Sequence, residues 1–63
     1  MRKPTYDFQV FDNAGKILRR CSQSCNNLGA QERTFDLLHK TPGAVAVFGF
    51  EQRGRHVHSA YRD

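Results

Sequence analysis

The chain has 63 residues, 38% of them hydrophobic and 25% charged, with a net charge of +4 and a pI near 9.6. A chain this short holds one small core and buries only about 60% of its unfolded surface, which excludes a second domain and calls for a staple such as a disulfide, a metal or an oligomer. Its longest apolar run, residues 44–50, is too short to span a bilayer, and no apolar stretch follows the basic start. Neither a membrane segment nor a secretory signal is therefore expected, and the cytoplasm is the default location.

Residues 6–12 alternate, with Tyr6, Phe8 and Val10 on one side and Asp7 and Gln9 on the other, the pattern of a half-buried strand. Asp12-Asn13-Ala14-Gly15-Lys16 then separates this strand from Ile17-Leu18-Arg19-Arg20-Cys21, which predicts a hairpin over residues 6–21. The expected turn is a three-residue loop that closes with Gly15 in the left-handed region.

A helix is predicted over residues 27–40, with Asn26 or Asn27 as N-cap. On its wheel Leu28, Ala30, Gln31, Thr34, Phe35, Leu37 and Leu38 form the core half, against Gly29, Glu32, Arg33, Asp36, His39 and Lys40. Asp36 and Lys40 are spaced to pair, and Thr41-Pro42-Gly43 ends the helix.

A second hairpin is expected over residues 44–61. Its turn, Phe50-Glu51-Gln52-Arg53-Gly54-Arg55-His56-Val57, repeats the residue classes of Phe11 to Leu18: aromatic, acid, amide, any, glycine, base, any, aliphatic. Equal chemistry predicts equal geometry, pairing Asp12 with Lys16 and Glu51 with Arg55. The fold class expected is α+β: one domain over residues 1–63, of order ββαββ, a four-stranded antiparallel sheet with the amphipathic helix on one face. Residues 44–50 are apolar on both sides, which requires a central place for the third strand.

This register sorts the side chains into two faces. Tyr6, Phe8, Val10, Leu18, Val45, Val47, Val57 and Tyr61 are assigned to the helix side. Phe11, Ile17, Gln9, Arg19, Phe48, Phe50, His56 and His58 are assigned to a face that no element covers.

Aromatic rings with cations on a bare sheet suit single-stranded nucleic acid, because bases stack on rings while cations track phosphates. The stretch Val47-Phe48-Gly49-Phe50 resembles the aromatic-glycine-aromatic core of RNA-recognition strands, although the basic-glycine pair that precedes it in that motif is absent here. The candidate binding residues are Phe11, Ile17, Arg19, Phe48, Phe50, His56 and His58, with Arg53 and Arg55 at the turn tip to steer a partner. The rival partner is a protein, in the form of a homodimer or a dock on a larger protein through the same face.

Cys21 and Cys25 with His39, His56 and His58 lack the spacing of a zinc finger, and no metal or other cofactor is expected. In a reducing compartment both cysteines are expected as free thiols. The acidic residues fall on turns, a terminus and an exposed helix face, with no nucleophile and base converging in a pocket, so no enzymatic activity is expected.

Overall fold

A computed structural model of the chain describes residues 3–53 and 57–62. The elements in chain order are β1 (Thr5–Phe11), β2 (Ile17–Ser24), α1 (Asn27–Lys40), β3 (Ala46–Glu51) and β4 (Val57–Tyr61). The strands form one antiparallel sheet in the order β2-β1-β3-β4. The two most apolar strands, β1 and β3, thus lie at the centre, where both strand edges are hydrogen-bonded.

The first turn follows its local chemistry. Gly15 has φ 81°, and its N–H donates to Asp12 O at 3.1 Å. The Asp12 carboxylate accepts from the Ala14 and Lys16 N–H groups at 2.9 and 2.8 Å, which satisfies donors the tight turn would leave bare. Asn26 caps the helix by accepting from the Gly29 N–H at 2.7 Å. Glycine suits position 29, since a Cβ there would meet that cap oxygen at 3.0 Å and Cys25 Cβ at 3.2 Å. On the helix surface Asp36 pairs with Arg33 at 2.9 Å and with Lys40 at 3.3 Å.

The core lies between α1 and the sheet, with Tyr6, Phe8, Val10, Ala30, Leu37, Leu38, Val47 and Ala60 buried. The helix packs over β3 and β4, reaches β1 and stops short of β2. Two of its expected core residues are instead exposed: Leu28 by 68% and Phe35 by 48%. The helix sets only Ala30, Thr34, Leu37 and Leu38 fully into the sheet. It approaches closely there because the residues beneath are small. A Cβ at Gly49 would meet the Phe8 ring at 2.7 Å and the Thr34 methyl at 3.4 Å.

The second hairpin has a register other than the predicted one. Pairing Glu51 with Arg55 would set Phe50 opposite His56, whereas Phe50 lies opposite Val57 and Gly49 opposite His58. This shift of one residue exchanges the two faces of β4. Val57 and Tyr61 leave the helix side, and His58 and Ala60 take their place. The small Ala60 is buried beside Val47 under the helix, while the larger Val57 and Tyr61 are left exposed on the other face. Residues 54–56, and with them the predicted conformation of Gly54, lie outside the described residues.

Candidate partner-binding face

The strands place Phe11, Ile17, Phe48 and Phe50 together on the face opposite the helix, and the shifted register adds Val57 and Tyr61. Phe48 is the hub. Its ring centroid lies 5.5 Å from that of Phe11, 6.3 Å from Phe50 and 5.8 Å from Tyr61. The Phe11 and Tyr61 rings meet it edge-on at 72° and 84°, the arrangement that aromatic quadrupoles favour, while Phe50 lies nearly parallel at 25°. Phe50 is 37% exposed, Ile17 41%, Val57 60% and Tyr61 63%. Among the described residues, no element covers this face.

Two of the predicted cationic residues are not on it. Opposite Val10 the ladder skips a residue: Phe11 pairs with Ile17, but Val10 pairs with Arg19. The bulge at Leu18 turns Arg19 to the helix side and brings Arg20, which pairs with Gln9, onto the open face. His58 is also on the helix side. Its ring nitrogens lie 2.9 Å from Gln31 Oε1 and 2.6 Å from Asn27 Oδ1, and its ring is 5.7 Å from Tyr6. It ties the first two turns of α1 to β4. Arg53 lines a cleft with Lys3, Pro4, Thr5, Glu51 and Gln52, at the end of β3. Arg55 and His56 lie outside the described residues.

Among the described residues the open face is therefore apolar around Phe48, polar toward β2, and carries little net charge. Its charged groups among the described residues are Asp7 and Arg20, and the Asp7 carboxylate already accepts the Ser22 hydroxyl at 2.6 Å. Arg62, which the sequence did not single out, donates to Leu38 O at 2.6 Å and to Ala44 O at 2.9 Å. It satisfies a carbonyl in the last turn of the helix and adds a cation at the negative end of the dipole.

Buried titratable groups sit on the other side of the sheet. Burial, with the neighbouring Glu51 and Cys25, holds the Tyr6 hydroxyl above its usual 10.0. Burial pushes the Cys25 thiol up from 9.0 despite Lys3 and Arg33, so it remains a protonated, weakly nucleophilic thiol at neutral pH. Cys21 and Cys25 are both free thiols. Among the described residues, no three His, Cys, Asp or Glu side chains gather as a metal would require, and no helix is long and apolar enough to cross a membrane.

Comparison of the chain with protein-family models, curated proteins and solved structures finds no match.

Proposed function

We propose that this chain is a non-enzymatic binding module that engages a protein partner through its helix-free sheet face. The observation that carries the reading is Phe48 with three rings around it on a face left open to solvent. An exposed ring cluster of this kind, with Gln9 and Ser59 directly beside Phe48 and polar side chains such as Asp7, Arg20 and Ser22 bordering it toward β2, marks interaction sites on small proteins. The charge balance supports a protein over a polyanion. Single-stranded nucleic acid needs cations beside the stacking rings, and Arg19 and His58 face the other way.

The second reading is single-stranded nucleic acid. It is favoured by the net charge of +4 and by the nearly parallel Phe48 and Phe50 rings. One experiment separates the two: isotope-labelled protein is titrated with a mixed single-stranded oligonucleotide at low and moderate salt, and separately with an apolar fluorophore. Shifts of the Phe48, Phe50 and Tyr61 amides with the fluorophore alone, lost in Phe50→Ser, support an apolar protein-docking face. Shifts with the oligonucleotide that fade as salt rises overturn it in favour of nucleic acid.

A further inference from the structure

The outer edge of β4 is a second surface, independent of the ring cluster. Arg62 N–H donates to Val45 O at 2.9 Å, and Phe48 lies opposite Ser59. Antiparallel pairing alternates, so the His58 and Ala60 backbone groups point to β3, while those of Val57, Ser59 and Tyr61 point away from the sheet. Among the described residues, β4 has β3 on one side and no strand of this chain on the other, so these outward groups face away from the sheet's own ladder.

The edge is flanked by apolar side chains on both sides of the sheet. On the open side Val57 and Tyr61 are 60% and 63% exposed. On the helix side Asn27 and Gln31 hold His58, and one step further round the helix surface are the exposed Leu28 and Phe35, two turns apart. No Asp, Glu, Lys, Arg or Pro occurs between Val57 and Tyr61. Long charged side chains and prolines are the usual guards of a sheet edge.

We propose that a second copy of this chain pairs with β4 in antiparallel fashion about a two-fold axis at Ser59, joining two sheets into one of eight strands. The edge is complementary to itself. Rotation about Ser59 sets Ser59 against its own copy in a reciprocal hydrogen-bonded pair, and sets each Val57 beside the other copy's Tyr61. All three outward backbone positions are then used, and an aliphatic side chain meets an aromatic one across the strands. No like charges meet along the strand.

The helices fit the same operation. With strands about 4.8 Å apart and α1 lying over β3 and β4, the two helix axes come about 10 Å apart, the distance at which helices pack. His58 sits under Asn27 and Gln31, and Arg62 under Leu38, so Ser59 is level with the second turn of the helix. Rotation there carries Leu28 of one helix toward Phe35 of the other. The interface is small, on the order of 1,000 Å² over both copies, at the low end of what specific association uses, so a concentration-dependent dimer is expected. It supplies the staple that a 63-residue chain with free cysteines otherwise lacks. It also joins the two ring-lined faces side by side.

The test is sedimentation equilibrium over roughly 5 to 500 µM, with amide hydrogen exchange at both ends of that range. The expected result is a monomer–dimer equilibrium in which Ser59 and Tyr61 amides gain protection with concentration. Ser59→Pro removes the central outward N–H at an edge position where proline is tolerated, and is expected to weaken the dimer at least about tenfold. Phe35→Lys, on the exposed helix flank, is expected to do the same without touching the strand, and Phe50→Glu is expected to leave the dimer intact. A monomer throughout, or a dimer lost in Phe50→Glu but kept in Ser59→Pro and Phe35→Lys, overturns the proposal. The first of these outcomes leaves the ring-lined face free for another protein, so the two readings fail separately.

Discussion

Strands β2 and β4 both end the sheet, yet they present different surfaces to solvent. β2 has eight residues, seven of them exposed, with Arg19 and Arg20 in its first half, a bulge at Leu18 and three polar side chains toward its end. Each of these features discourages another strand from pairing. β4 has five residues, no formally charged side chain and no bulge in its pairing with β3, and its histidine is turned inward onto the helix. The helix lies over β4 and leaves β2 bare, so the exposed apolar residues of the helix flank only the β4 edge, while β2 exposes Ile17 and Leu18 next to its two arginines. One edge is protected by its own sequence, and the other lacks those guards.

The comparison breaks most strongly if the helix is pushed off its seat over β3 and β4. Gly49→Ala forces a Cβ to within 2.7 Å of the Phe8 ring, which is itself buried and has nowhere to go. The expected cost is about 2 kcal/mol of unfolding free energy, read from chemical denaturation. An unchanged midpoint would mean that the helix rides higher than described. A smaller effect is expected from His58→Ala, which removes both side-chain contacts between β4 and the helix start. A loss of about 1 kcal/mol, with faster amide exchange in the first turn of α1, is the predicted result.

The smallest effect on stability, and the sharpest test of the edges, comes from unguarding β2. Replacing Arg19 and Arg20 with Thr is expected to change unfolding free energy by less than about 0.5 kcal/mol, since both are exposed. It should nevertheless give the protein a second self-association step in sedimentation, absent from the parent. Unaltered association would show that the bulge alone protects that edge.

Some of this architecture is legible in single residues. Asp12 and Gly15 specify the first turn through bonds made within five residues, and Asn26, Thr41 and Gly43 mark the ends of the helix in the same local way. The ring cluster was legible in part. Phe11, Ile17, Phe48 and Phe50 belong together because alternation in β1 is strong, the pairing next to the first turn is local, and Phe48 and Phe50, two residues apart, share one side of β3. Arg19 was misplaced because Leu18 bulges, and nothing in Ile17-Leu18-Arg19-Arg20 marks a bulge in advance.

The second hairpin shows where sequence pattern loses its force. The Val57-His58-Ser59-Ala60-Tyr61 stretch has no strong contrast between its two faces, so a slip of one residue leaves both registers plausible on alternation alone. The likeness between the two turns favoured one register, and the structure takes the other, with the small Ala60 buried under the helix. By itself the sequence determined the order of the elements, the first turn, the helix and the central place of β3. These follow from short-range bonds and from apolar runs that must be covered. Only the tertiary structure decided how far the helix reaches across the sheet, which way β4 faces and which strand edge is left apolar. These depend on how closely Thr34 settles onto Gly49 and on the burial of Ala30 and Ala60 in one core, a packing of residues distant in the chain that no local pattern encodes.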